Sequence, residues 1–291
     1  MASDNLRGIV LMVLSMAFFA VEDMFLKFAA ADLPIGEIVF ISGAFGMPIF
    51  VVMAWRAGER VLTRDIWHRA VVARNIGEMI ATLGYMLGIA NLPLSTVSAI
   101  LQATPLALTM AAALFMGEQV GWRRWTAIFV GFVGVLLVIR PGFGEFGLKH
   151  MGVLLVVVGI TQRDLASRRI PDRCSTAQVS VWGLTAIAVL GTLMMLVSGE
   201  AHLPSPWQGA ILFGATVFGS IGYWAIIGAT RTGEVAAVSP FRYVRLVFAV
   251  LIGAFVFAEW PDVMTLLGSG LIVASGLYAF ARERARKRAL S

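Results

Sequence analysis

Charge and thiol chemistry are scarce in this chain. One cysteine, Cys174, occurs in 291 residues, so no disulfide closes within it, and nothing around that thiol has metal-ligand spacing. Three histidines do not supply a convincing metal site. No Walker loop, His-Glu-x-x-His, Cys-x-x-Cys or Gly-x-Ser-x-Gly run is present. The usual frames for phosphoryl transfer, metal-assisted hydrolysis, thiol redox chemistry and acyl transfer are therefore missing. The chain reads as no enzyme, with no catalytic residue, no metal and no cofactor. Charged residues are 14% of the total, against roughly 25% in soluble domains. No polar stretch is long enough for a soluble ATPase or receptor module.

What remains is apolar. Hydrophobic residues make up 59% and the mean hydropathy is +0.84, and a soluble fold of this size would need a core larger than its surface permits. The chain reads as an integral membrane protein. Its net charge of +6 is concentrated in the tail ARERARKRALS, directly after an apolar run, where an anionic cytoplasmic leaflet is the natural partner and nucleic acid is not. The start, with Arg7, an apolar run and Ala29-Ala30-Ala31, has the outline of a signal peptide. Glu22, Asp23 and Lys27 interrupt it before any cleavage point, so it is expected to stay as a first helix.

An apolar segment of about 20 residues crosses a bilayer as a helix, because its backbone groups must be satisfied internally. Ten such spans are read, at about 7–28, 35–55, 70–90, 95–116, 122–139, 150–169, 177–198, 208–229, 235–257 and 262–281. Short turns join them: Asn91-Leu92-Pro93, Arg140-Pro141-Gly142, Pro204-Ser205-Pro206 and Trp260-Pro261-Asp262. With the N-terminus in the cytoplasm, Arg7, Arg56, Arg60, Arg64, Arg69, Arg123, Arg124, Arg168, Arg169, Arg173, Arg231 and the five basic residues of the tail fall inside. Only Arg140 and Lys149 fall outside. That asymmetry sets both termini in the cytoplasm of a multi-pass protein of the cell's inner (plasma) membrane.

The two halves repeat. Slid by 141 positions, Ser98 falls on Ser239, Glu118 on Glu259, Glu22-Asp23 on Arg163-Asp164 and Lys27 on Arg168. The repeats are assigned as residues 1–140 and 150–281, followed by a basic cytoplasmic tail, 282–291. Five spans per copy is an odd number, so the copies enter the membrane from opposite sides. The expected fold is all-α, with ten transmembrane helices in two inverted five-helix repeats. Exchanging the conformations of the two halves then opens one mouth of a pathway and closes the other.

Ionisable groups inside a span mark a pathway or a buried pair. Glu22 and Asp23 lie about 20 Å along the first span at about 1.5 Å per residue, and Arg163 and Asp164 lie at the mirrored depth of the sixth. Together with Glu78 in the third span they are the candidate gating or coupling residues. The alternative is that Glu22, Asp23 and Lys27, with Arg163 and Arg168, only reach for the interfaces, or that Asp23 and Lys27 form a simple i,i+4 pair. In the fourth span Ser98, Gln102, Pro105 and Thr109 form a polar stripe, matched in the ninth by Ser239, Arg242, Tyr243 and Leu246. Pro105 frees a carbonyl and permits a kink. Arg242 is suited to clamp a carboxylate, or else Arg242 or Arg245 pairs with Glu78. Tyr85 and Tyr223-Trp224, each after a glycine, either line a cavity for a planar ligand or are ordinary packing and belt residues. Glu118 and Glu259 are read as structural caps at the starts of the fifth and tenth spans. The candidate substrate-binding set is thus Tyr85, Ser98, Gln102, Pro105, Tyr223, Trp224, Ser239, Arg242 and Tyr243.

From Ala90 to Glu118, ending Phe-Met-Gly-Glu, from Val238 to Glu259, and at Glu37 and Gln178 opening the second and seventh spans, the chain resembles the drug/metabolite transporter superfamily in its EamA-like branch. A basic residue usual near the start of the second span is replaced here by Phe-Ile-Ser-Gly-Ala. The resemblance implies ten helices around a central cavity walled by spans 1, 3, 4, 6, 8 and 9. It also implies alternating-access transport of a small-molecule solute by a monomer or homodimer. Within the branch, exporters of aromatic and other amino acids (the YddG type) are the expected match. An importer of a planar vitamin such as riboflavin, or a membrane scaffold that transports nothing, are the alternatives.

Overall fold

In the computed structural model, residues 2–140, 148–200, 202–232 and 235–290 are described, and among them every regular element is helical. The Pro141-Gly142 turn lies outside these residues, as do the side chains of Lys149, Arg231 and most of the basic tail. The helices are α1 (Ala2–Asp32), α2 (Ile35–Arg56), α3 (Arg69–Asn91), α4 (Leu94–Leu101), α5 (Thr104–Met116), α6 (Trp122–Ile139), α7 (Leu148–Ser167), α8 (Thr176–Ser198), α9 (Pro206–Thr232), α10 (Val235–Val238), α11 (Val244–Val256) and α12 (Val263–Leu290). Short 3-10 turns cover Arg64–Trp67 and Ser239–Tyr243.

Among the described residues eight segments are long and apolar enough to cross a membrane, where ten were expected. A helix does occupy the other two segments, as α3 and α7. Arg74 and Glu78 on α3, and Gln162, Arg163 and Asp164 on α7, lower their hydropathy. Phe45, Phe129 and Phe213 are exposed on the qualifying helices, the arrangement hydrocarbon contact favours and water does not.

The fourth and ninth spans are each broken. The fourth divides at Gln102-Ala103, three residues before the proline that causes it. Pro105 has no N–H for the Leu101 carbonyl four residues back, and the Thr104 hydroxyl donates to that carbonyl instead at 2.6 Å. In the ninth, α10 gives way to the 3-10 turn containing Pro240 before α11 resumes at Val244.

Two compact units result, each drawing on both halves of the chain: Met1–Met24, Asn91–His150 and Val217–Ser291 in one, Phe25–Ala90 and Met151–Thr216 in the other. In the second unit α2 and α8 run antiparallel, Gly36 facing Met194 and Met195 while Gly43 faces Leu184 and Ala188. α3 and α7 pair the same way, Gly77 against Gly159 and Arg163, and Gly84 against Gly152 and Val156. In the first unit α6 and α12 cross at Gly131 and Ser275 and at Gly134 and Gly268. Small residues let backbones meet, which is how helices gain dispersion contact where no hydrophobic effect drives them together.

Loops are pinned to helix starts. Ser175 and Gln178 form a capping box on α8. The Gln178 amide also donates to the Arg60 carbonyl at 2.7 Å, and the Trp182 indole donates to the Val61 carbonyl at 2.9 Å. The expected cap by Glu259 is present but on a different helix. Its Oε2 accepts from the Leu94 amide at 3.1 Å, at the start of α4, while α12 is capped by Asp262, which accepts from Thr265 N at 2.8 Å.

Gly43→Val is expected to lower the melting temperature of the detergent-solubilised protein, because the added carbon would lie 2.6 Å from the Ala188 amide nitrogen. Overpacking of that kind costs about 1–3 kcal/mol. Gly270→Ala, whose added carbon meets nothing within 4 Å, should leave the melting temperature unchanged or raise it. A second expectation concerns Asp65, whose carboxyl the hydrogen-bonded Arg173 guanidinium holds below the ordinary carboxylate range. A depressed folded value means the contact stabilises at neutral pH and is lost as pH falls through it. Protection factors of the amides across residues 64–68, corrected for the intrinsic slowing of exchange in acid, should therefore fall as pH is lowered, and Asp65→Asn should remove that dependence.

Candidate functional site

The polar side chains gather into two clusters, one in each unit. In the first unit, Asp23 is buried on α1 and is gripped bidentately by Arg245 of α11, with Nη2 2.8 Å from both carboxylate oxygens. The guanidinium also stands 5.4 Å from the centroid of the Phe19 ring, a cation–π arrangement. Asp23 therefore does not snorkel to an interface.

Its neighbour Glu22 is different. Among the described residues Glu22 has no hydrogen-bond or ion-pair partner. Its carboxylate lies against α9 where Gly219 leaves room, since a carbon added there would come 2.5 Å from Oε1. Two turns back along α1, the Ser15 hydroxyl donates to the Gly222 carbonyl of α9 at 2.7 Å. The close contacts of the Arg245 guanidinium go to Asp23, and Glu22 stands beside that pair.

Beside them stand the two helix breaks. Gln102 at the α4–α5 break donates from Nε2 to the Arg242 carbonyl at 3.2 Å, so the polar stripe of one broken helix is tied to the break of the other. The Arg242 side chain is exposed. Ser98 is buried, and its hydroxyl has no partner. The Tyr243 ring packs onto α12 at Gly276, where any side chain would collide with its hydroxyl. Ser239, Tyr223 and Pro105 belong to the same unit, Ser239 and Tyr223 half-buried and Pro105 exposed. Trp224 is 70% exposed, more than a ligand-enclosing wall leaves open.

In the second unit, Arg163 of α7 bridges Glu78 at 3.2 Å and its own neighbour Asp164 at 2.8 Å. Arg74 of α3 holds the other oxygen of Glu78 at 3.0 Å. The partners of Glu78 are thus Arg74 and Arg163, where Arg242 or Arg245 had been considered. Gln162 donates to the Ala73 carbonyl at 3.3 Å. Two arginines and two carboxylates make this network neutral. Tyr85 lies half-buried two turns along α3.

Sequence reasoning passed over Arg74, although its i,i+4 spacing to Glu78 was legible. It also passed over Ser15, Phe19 and Gly219, which no local pattern marks. Among the described residues no group of three or more His, Cys, Asp or Glu side chains is placed to hold a metal.

The family model described as EamA-like transporter family matches the chain twice, over residues 6–140 and 149–280. An S-adenosylmethionine uptake transporter of Rickettsia felis is 24% identical over 96% of this chain and 94% of its own length. The pseudopaline exporter CntI of Pseudomonas aeruginosa is 25% identical, covering 94% and 96%. A riboflavin transporter of Vibrio cholerae is 24% identical, covering 97% and 96%. A solved crystal structure shares the fold with a TM-score of 0.64 at 17% identity, over 97% of this chain and 99% of that one.

The Asp23–Arg245 pair has a measurable consequence. Removing one partner of a buried pair costs about 3–5 kcal/mol, because the other charge is stranded. Asp23→Asn and Arg245→Met should each lower the melting temperature in detergent, and the double variant should recover a large part of the loss. Additive losses would show that the two side chains stabilise the fold independently.

Proposed function

The chain belongs to the EamA-like transporter family and is a multi-pass membrane transporter, and on that premise we propose that it exports small amphipathic amino acids, aromatic ones included, by alternating access. The observation that carries this reading is the Glu22 carboxyl, without a close cation among the described residues, beside the Asp23–Arg245 pair. A carboxyl inside a span takes a proton or, when ionised, an ammonium group. Arg242, one turn before Arg245, supplies the opposite charge for a carboxylate. Ser98, with a hydroxyl lacking any partner, and Gln102 offer the hydrogen bonds a zwitterion needs. An S-adenosylmethionine transporter among the relatives handles an α-amino acid joined to a planar base, which fits the same pairing of charges.

Ten membrane-crossing helices in two inverted repeats are part of this proposal. Antiparallel packing of α2 on α8 and of α6 on α12 supports it, because these are the second and seventh, and the fifth and tenth, spans. Helices that correspond by a 141-residue shift and run in opposite directions are what an inverted repeat requires. The breaks after Leu101 and before Val244 fall at corresponding places. α3 and α7 cross the membrane in this reading with their charges turned on each other. The neutral Arg74–Glu78–Arg163–Asp164 network then acts as a gate, opened by exchange of ion pairs. A planar vitamin is the second reading, favoured by the riboflavin transporter among the relatives.

Counterflow in proteoliposomes tests both readings. Vesicles preloaded with tryptophan, phenylalanine, methionine, threonine, S-adenosylmethionine or riboflavin are offered the labelled counterpart. Uptake driven by the amino acids is expected, and Arg242→Ala should abolish it while leaving membrane insertion intact. Glu22→Gln should weaken it and flatten its dependence on pH. Uptake driven by riboflavin alone would discard the amino-acid reading, and wild-type flux in Arg242→Ala would remove Arg242 from the site.

A further inference from the structure

A cavity in the second unit is not used by the transport reading. It has a volume of about 360 Å³, within the roughly 300–1,000 Å³ of ligand cavities. Its walls come from the first half of α2, the end of α8, the 202–204 loop and the first turns of α9. Most of the lining is apolar, and Phe40, Phe45 and Phe213 are exposed at its edges. On helices that cross a bilayer, such an opening faces acyl chains.

One polar feature is out of keeping with that lining. Glu37, the third residue of α2, is 3% exposed. Its Oε1 accepts a hydrogen bond from the His202 backbone amide, and the His202 ring stands 3.7 Å from that same oxygen. Among the described residues Oε2 has no donor. A buried carboxylate oxygen without a donor is costly, and a ligand that brings an N–H removes the cost. Glu37 sits where α2 begins, while Phe45 lies eight residues on, about 12 Å deeper at about 1.5 Å per residue. Polar at the membrane boundary and apolar beneath it, the cavity has the layout of a lipid, headgroup above chain.

We propose that this cavity binds a glycerophospholipid with a primary-amine headgroup, its ammonium on Glu37 and an acyl chain along Phe40, Phe45 and Phe213. Phosphatidylethanolamine has the required donor, and phosphatidylglycerol, with no cation, does not. A zwitterionic solute enclosed in the cavity would need a partner for its carboxylate, and the one other ionisable group on the wall, His202, is already turned to Glu37; the phosphate of a lipid whose chain fills the cavity stays in the hydrated headgroup layer instead. Thr216, the remaining polar side chain of the lining, donates its hydroxyl to the Leu212 carbonyl at 3.0 Å.

Native mass spectrometry of the full-length protein in detergent tests this without any transport assay, so its outcome is separate from that of the amino-acid reading. Defined phosphatidylethanolamine and phosphatidylglycerol are titrated in parallel. The wild type should retain phosphatidylethanolamine about tenfold better, the discrimination expected of one charge-assisted hydrogen bond. Glu37→Gln keeps an acceptor for the His202 amide and should reduce the preference to parity. Gly209→Phe projects a ring from a wall position where an added carbon meets nothing within 4 Å. It should weaken retention of both lipids without lowering the melting temperature. Equal retention of the two lipids by the wild type, an unchanged preference in Glu37→Gln, or displacement of the lipid by tryptophan or S-adenosylmethionine would each overturn the proposal.

Discussion

A charge inside a membrane-crossing helix is tolerated only beside its opposite, and the polar architecture of this protein follows from that constraint. Solvation of a carboxylate or guanidinium is lost in hydrocarbon, and Coulomb attraction at close range is what replaces it. Arg245 compensates Asp23, and Arg163 and Arg74 compensate Glu78 and Asp164. Such pairing needs helices in close contact. Gly77 and Gly84 bring α3 onto the backbone of α7, so the glycines set the distance at which the charges meet. Packing and electrostatics are one problem here, solved by the same helix faces.

Against that background the exception acquires meaning. Glu22 adjoins a satisfied pair but has no cation of its own, and Gly219 makes room for it. The two clusters are chemically unequal, a carboxyl beside an ion pair in one and two arginines with two carboxylates in the other, even though Glu22-Asp23 and Arg163-Asp164 correspond in the two halves of the chain.

The broken helices add a second device. A continuous helix satisfies its own backbone and presents side chains alone. At the α4–α5 break the Leu101 carbonyl is released by Pro105 and taken by Thr104, and the Gln102 amide reaches the Arg242 carbonyl. Backbone groups thus enter the polar chemistry of the interior. The same logic places Gln178 and Glu37 at helix starts, one donating to the loop at Arg60 and the other accepting from the loop at His202. An amide and a carboxylate in corresponding positions suit a carbonyl and an N–H respectively.

By itself the sequence determined the membrane class, the helical segments and their approximate ends, and the residues whose charge is out of place. These follow from local quantities: hydropathy over about 20 residues, turn residues between runs, and ionisable groups within them. It also carried the 141-residue correspondence, read from Ser98 with Ser239 and Glu118 with Glu259. Partnership was decided only by the tertiary structure. Glu78 had several arginines in reach of any sequence argument, and helix packing selected Arg74 and Arg163. Glu259 looked like the cap of the helix that follows it and instead caps α4, 165 positions away in the chain. Arg74 and Glu78 lower the hydropathy of α3, because hydropathy counts each charge as though it stood alone. Whether a charge stands alone depends on a second helix, and one segment's composition holds no record of its neighbour.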